Sequence, residues 1–308
     1  MTQTSKQIQE QCAQQIYQLL VHRAYRSGPL PSPTARQKLV ALICAQVAKA
    51  NAVPLFLFWG GAKNPNLPLQ EADLCEAATL QRLQTLHAAV QSIYPPGLHF
   101  YIFPGDERVH RVNGIPRALT QRYVQGLTHM AQQAGDYFEV IPVSRLYKRY
   151  APAFEQALED AQHTVAPLLS EHPLYAKLVT HAERNLSLTH PTIHRPEEAL
   201  KAAHNYIVYR LAEEKAGIFR DYAPCIRGSF VKFSLFLSFY APYLDLSSIQ
   251  PPLDCVLHFY TGAKGNITQP WQALGEKQQD RVLFLSQRRL SQKAGAPLDH
   301  NKHLQQSL

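Results

Sequence analysis

Apolar residues first recur at helical spacing. From Gln7 to Arg23, the residues Ile8, Cys12, Ile16, Leu19 and Leu20 share one face, which predicts an amphipathic helix. The stretch "SGPLPSP" (27–33) reads as a linker, and Thr34 then caps a second helix that runs to about Ala50. "VPLFLFW" (53–59) is a short unbroken apolar run bounded by turn residues, the mark of a strand covered on both faces. A long helix from about Glu71 to Tyr94 carries Leu74, Leu80, Leu83, Leu86 and Val90, and "PPG" stops it. "LHFYIF" then gives a second strand, "PGDERVHRVNG" a charged polar loop, residues Pro116 to Gln133 a helix, and "YFEVIPV" (137–143) a third strand.

Strands that alternate with helices predict an α/β fold, with a mainly parallel central sheet and helices packed on its faces. From Ser144 to about Tyr222 the pattern is almost entirely helical, so a helical lobe is expected at 144–222. The chain then returns to strand-like runs, "GSFVKFSLFLSFY", "DCVLHFYTG" and "RVLFLS". Without long helices between them, they are expected to pair antiparallel. The organisation read from these runs is an N-terminal helix and linker at 1–35, a single α/β domain at 36–293, and a polar tail at 294–308. No internal repeat is visible.

Composition narrows the partners. A formal net charge of +8 suggests an anionic one: a phosphorylated metabolite, a nucleic acid or a membrane surface. Yet the basic residues are scattered, and the densest cluster, Arg281 to Arg289, is short, so most of the charge reads as solvated surface. Cys12, Cys44, Cys75, Cys225 and Cys255 form no CxxC pair, which suits free thiols in a reducing compartment. The N-terminus lacks the apolar core of a signal peptide, and Lys232 and Pro242 interrupt the longest apolar stretch. A soluble, cytoplasmic protein is expected.

Candidate chemistry gathers at two strand ends. Gly60 and Gly61 follow the first strand, where missing side chains let backbone N–H groups approach an anion, and Lys63 adds a cation. A turn with a surface lysine is the plainer alternative, because neither GxGxxG nor GxxxxGK[ST] is present. The second strand ends in Asp106, Glu107, Arg108, His110 and Arg111, either a polar pocket facing the first loop or a solvated charged segment. Asp73 and Glu76 lie at first-turn spacing, suited to capping a helix or to binding an ammonium group. Tyr206 with Arg210, and Tyr209 with Glu213, are i,i+4 neighbours and read as helix packing with a surface pair. His181, His190 and His194 invite a metal reading, but Pro191 breaks the helix that would align them, so surface histidines are expected.

Several elements in order resemble the isonitrile (isocyanide) synthase family, known also from pyoverdine and dityrosine biosynthesis. They are "AKNPN", "IYPPG", the strand ending in an Asp-x-Arg loop, "NGIP" before a helix with Tyr123, "YRLAEEKAGIFRDYAPCIRGSF" and "TQPWQ", spanning about residues 36–275. The resemblance implies a Rossmann-like α/β enzyme that condenses the amino group of a tyrosine- or tryptophan-like amino acid with the C2 ketone of ribulose 5-phosphate. Carbon–carbon cleavages then leave that carbon on nitrogen as an isonitrile. The resemblance implies no metal or redox cofactor, no nucleic-acid or membrane partner, and a downstream Fe(II)/2-oxoglutarate oxygenase. Carried over residue by residue, it makes Lys63, Arg108 and Arg227 holders of anionic groups, with Arg210 near the phosphate and Gly60 and Gly61 beside it. Asp106 would bind the amine or handle a proton, with His110 and Lys63 as further catalytic groups. The chain departs from the pattern at Glu107, where a glycine is usual, and at "SFVKF" and "PWQ", which each lack a family histidine. A silent binder of a phosphorylated ligand and a basic nucleic-acid-binding module remain the alternatives.

Overall fold

The computed structural model describes residues 3–25, 30–63, 71–169, 179–180, 182–183, 196–229 and 257–258. Five strands form one sheet: β1 (Val53–Trp59), β2 (Leu98–Pro104), β3 (Phe138–Val140), β4 (Ile226–Ser229) and β5 (Leu257–His258), in the order β3-β2-β1-β4-β5. Every pairing in it is parallel. Eight α-helices are described, α1 (Gln3–Leu20), α2 (Pro33–Val47), α3 (Leu74–Gln91), α4 (Asp106–Asn113), α5 (Arg117–Ala134), α6 (Val143–Arg149), α7 (Ala151–Leu169) and α8 (Pro196–Lys215), with a short 3-10 helix at Arg220–Tyr222.

The expected parallel sheet, flanking helices and helical lobe are present, and the lobe consists of α6, α7 and α8. The antiparallel pairing expected for the C-terminal strands is corrected for β4 and β5, which both run parallel to their neighbours. The lobe itself serves as the crossover from β3 to β4. The segment 230–256 exceeds the dozen or so residues that a parallel return requires. "PGDERVHRVNG" is also corrected, from loop to helix α4. Its signals are local. Asp106 and Glu107 oppose the positive end of the helix, His110 and Arg111 complement the negative end, and Gly114 ends it at φ 66°.

Alternation along β1 sorts the core into two layers. Leu55, Leu57 and Trp59 join α1, α2, α3 and α5 on one face, and Phe56 joins α6, α7 and α8 on the other, with Phe58 packed beside it. The N-terminal helix, which the sequence sets apart from the domain, contributes Ala13, Ile16, Tyr17 and Leu20 to the first of these layers. Ser32, two residues before the expected cap Thr34, accepts the Ala35 N–H and caps α2.

Gly61 answers a packing need. A Cβ at Gly61 would lie 2.6 Å from the carbonyl carbon of Gly105, so the connections leaving β1 and β2 touch backbone to backbone. Gly61→Ala is therefore expected to destabilise the protein by about 1–3 kcal/mol, since backbone rather than a flexible side chain must yield. Thermal melts of the two proteins check this, and equal midpoints would refute it.

Candidate active site

In this strand order β1 lies between β2, reached by its own crossover, and β4, reached from the lobe on the other side. Ligands of open parallel sheets bind beyond the carboxyl ends of the strands where the order reverses. Here that point is the β1–β4 seam, where Phe56 stands in register with Arg227.

On the lobe side of this seam, two guanidinium groups, from α4 and α8, meet one carboxylate, and a third, from β4, lies beside them. Glu213 of α8 is 1% exposed. Its Oε1 accepts hydrogen bonds from Arg108 Nε (2.9 Å), Arg108 Nη2 (2.6 Å) and the Tyr147 hydroxyl (2.6 Å). Its Oε2 accepts one from Arg210 Nη1 at 2.5 Å. Arg210 is 4% exposed and lies over the Phe58 ring at 5.6 Å, and among the described residues its buried Nε has no hydrogen-bond partner. Arg227 of β4 lies over the Phe56 ring, also at 5.6 Å. Burial first, then the Arg210 charge, pulls the pKa of Arg227 down, and among the described residues no carboxylate is within salt-bridge distance of it. Buried cations normally occur in pairs with anions. Arg108 and Arg210 share the single carboxylate of Glu213, and the only carboxylate that influences Arg227 is the more distant, exposed Glu214, so the group keeps a positive excess that suits an anion.

Asp106 and His110 share α4 with Arg108. The Asp106 carboxylate is buried and accepts the Ser144 N–H at 3.1 Å, which ties the start of α4 to α6. His110 is half-buried, with Nδ1 2.8 Å from the Ile115 carbonyl oxygen, so only Nε2 remains for other chemistry. Glu107 accepts from Arg111 Nε at 2.6 Å and from Arg117 Nη2 at 2.7 Å, joining α4 to α5. Those two guanidiniums hold its carboxyl below the ordinary range despite burial. Arg111 in turn donates to the Tyr209 hydroxyl at 3.0 Å.

Lys63 lies on the opposite face of the sheet. It is 0% exposed, 2.8 Å from Glu76 Oε1 and 3.2 Å from Asp73 Oδ1. Tyr123 donates to Glu76 at 3.0 Å, and Trp59 Nε1 donates to Tyr123 at 2.9 Å. Both Trp59 and Tyr123 belong to the core layer of α3 and α5, away from Arg210 and Arg227. Lys63 is thus neither the surface lysine nor a neighbour of the arginine cluster. Asp73 and Glu76 form a complete capping box on α3, as the capping alternative expected, and they also grip Lys63. Gly60 and Gly61 sit where β1 meets the β2–α4 turn, with Gly105 donating to the Trp59 carbonyl.

The structure therefore brings Arg108, Arg210 and Arg227 together, places Asp106 and His110 on the helix that carries Arg108, and separates Lys63. Sequence reasoning did not assign Glu213 or Tyr147 to the site, and it took Glu213 for part of a surface pair. The i,i+3 spacing of Arg210 and Glu213 on α8 was the available signal, because a helix so rich in alanine packs on several sides and buries such a pair. His181, His190, His194, the "FSLFLSFYAPY" and "TQPWQ" elements, "RVLFLS" and the Arg281–Arg289 cluster lie outside the described residues. Among the described residues, no group of three or more His, Cys, Asp or Glu side chains is placed to hold a metal ion, and no helix is long and apolar enough to cross a membrane. The four described cysteines are free thiols.

The cluster has a testable acid response. Burial alone would raise the Glu213 carboxyl, but Arg108, Arg210 and the Tyr147 hydroxyl together hold it below its ordinary value. A carboxylate with a depressed folded pKa contributes stability above its unfolded pKa and loses it as pH falls through the folded one. Wild-type stability should thus fall as pH drops below the ordinary carboxylate value of 4.5, and Glu213→Gln, with nothing to titrate, should show a shallower fall. Melting temperatures across that range measure the difference, and parallel curves would refute it.

Comparison with known proteins agrees with this architecture. Residues 66–215 match the family model described as "Pyoverdine/dityrosine biosynthesis protein". Among solved structures, the fold is similar to the PvcA protein from Pseudomonas aeruginosa, with a TM-score of 0.59 and 18% identity over 85% of each chain. No curated protein matches the chain. The matched segment contains α3, α4, α5, the lobe, and both Arg108 and Arg210 of the arginine cluster. Over residues 66–215, this chain is similar to the pyoverdine/dityrosine biosynthesis family.

Proposed function

We propose that the protein is an isonitrile-synthase-like biosynthetic enzyme that condenses the amino group of a tyrosine- or tryptophan-like amino acid with ribulose 5-phosphate. The observation that carries this reading is the positive excess at the β1–β4 seam, where Arg210 and Arg227 stand over Phe58 and Phe56. Such a site favours a phosphate monoester, whose two negative charges match the guanidiniums that Glu213 leaves uncompensated. Arg210 and Arg227 then hold the phosphate, and Arg108 fixes Glu213. Asp106, at the start of α4, receives the substrate ammonium or moves a proton, and His110 Nε2 serves as an acid/base group on the same helix. Lys63 is reassigned from the phosphate to the buried tie between β1 and α3.

The test is direct. Purified protein is incubated with tyrosine or tryptophan and ribulose 5-phosphate, and the products are read by mass spectrometry. The expected product carries one carbon more and two hydrogens fewer than the amino acid. Stabilisation by sugar phosphates without that product would favour the silent binder instead, a reading that the missing histidines at "SFVKF" and "PWQ" support. The nucleic-acid reading draws little support from the cations at the rim of the sheet. Arg108, Arg111, Arg117, Arg210 and Lys63 are all engaged by carboxylates.

A further inference from the structure

Glu213 divides the three guanidiniums unequally. Arg108 spends both Nε and Nη2 on the single oxygen Oε1, to which Tyr147 also donates. Arg210 spends only Nη1, on Oε2, and keeps an unpaired buried Nε. Arg227 makes no contact with the carboxylate. One anion thus fixes Arg108 as a strut and anchors Arg210 at one nitrogen, leaving the rest of that guanidinium to a ligand.

We propose that Glu213, locked by Arg108 and Tyr147, is a positioning residue that orients Arg210 toward the phosphate group of the substrate. The proposal rests on the function proposed above and deepens it. The geometry explains why a carboxylate sits in an anion site at all. Without it, the Arg108 and Arg210 guanidiniums would repel each other, and Arg210 would adopt no single orientation. A misplacement of about 1 Å at a binding or reacting group can cost on the order of a hundredfold.

Two substitutions separate positioning from simple neutralisation. Glu213→Asp keeps the charge but withdraws the carboxylate by one methylene, whereas Glu213→Gln keeps the length but removes the charge. If Glu213 merely offsets positive charge, Glu213→Asp is silent and Glu213→Gln tightens anion binding. If it positions Arg210, Glu213→Asp weakens binding of ribulose 5-phosphate, and of inorganic phosphate as a minimal probe, by about tenfold to a hundredfold. The affinity for the amino acid should then change less than about threefold, a split that general unfolding would not produce. Tyr147→Phe, which removes one donor and no charge, should move phosphate affinity the same way by a smaller factor and keeps the test open if Glu213→Asp fails to fold. Calorimetric titration supplies the affinities, and circular dichroism melts establish that each variant is folded.

Unchanged phosphate affinity in folded Glu213→Asp and Tyr147→Phe would overturn the proposal. Equal weakening toward phosphate and amino acid would overturn it too, as would a wild-type protein that binds no phosphate. Failure of the functional reading has a different signature: phosphate binding responds to these substitutions, but the wild-type protein forms no isonitrile.

Discussion

Replacing Arg227 with methionine is expected to weaken ribulose 5-phosphate binding by two to three orders of magnitude while leaving the fold as stable as before, or more so. The two effects have one cause. Arg227 is half-buried over Phe56, next to the charge of Arg210, with no carboxylate at salt-bridge distance among the described residues. A desolvated cation held that way costs folding free energy, so removing it relieves strain on the folded state. Methionine keeps an apolar stem against the Phe56 ring and adds a favourable sulfur contact. The ligand loses more. Hydrogen bonds to charged groups contribute about 1.5–3 kcal/mol each, and loss of a two-pronged contact removes about 3–4 kcal/mol, or a few hundredfold in affinity. Titration calorimetry with a thermal melt on the same sample checks both halves. An unchanged affinity, or a melting temperature several degrees lower, would mean that Arg227 holds the fold together rather than the ligand.

Lys63→Met should behave in the opposite way, with a large loss of stability and little direct effect on phosphate affinity. Lys63 is enclosed between Asp73 and Glu76, and its removal leaves two buried carboxylates without their cation. Breaking a buried pair from one side costs about 3–5 kcal/mol. In a chain of this size that lowers the melting temperature by on the order of 10 °C. The loss should depend on pH. Burial raises the Glu76 carboxyl to about 7 even against the pull of Lys63, so the folded state favours its protonated form. The stability associated with Glu76 is therefore greatest below its unfolded value near 4.5 and declines as pH rises through about 7. Without Lys63 the carboxyl rises further, so the deficit of the variant should be smaller at about pH 5.5 than at about pH 8. Melts at the two pH values measure this. A fully stable Lys63→Met protein that has lost phosphate binding would return Lys63 to the anion site.

The contrast between these residues shows what could be read from the chain and what could not. "VPLFLFW" and "LHFYIF" announced buried parallel strands, because a strand covered on both faces needs no polar alternation. Helix α4 was hidden by its charge: a short segment whose only apolar residues are Val109 and Val112 looks like a loop until its acidic start and glycine stop are weighed as caps. The family likeness picked out Arg108, Arg210 and Arg227 as cations of interest, but their convergence depends on which face of β1 each one meets. A one-residue step along a strand reverses that face. Arg227 stands in register with Phe56 and faces the lobe, whereas Lys63, beyond the end of β1, turns back under α3. Glu213 escaped notice because its importance comes from α4 and α6, elements far away in the sequence.

The central claim is the location of the anion, and a crystal structure of the protein soaked with ribulose 5-phosphate tests it most directly. The account predicts phosphate density within hydrogen-bond distance of Arg210 Nε and the Arg227 guanidinium, at the carboxyl end of the β1–β4 seam. Phosphate density beside Lys63, or on any surface remote from those two arginines, would contradict it.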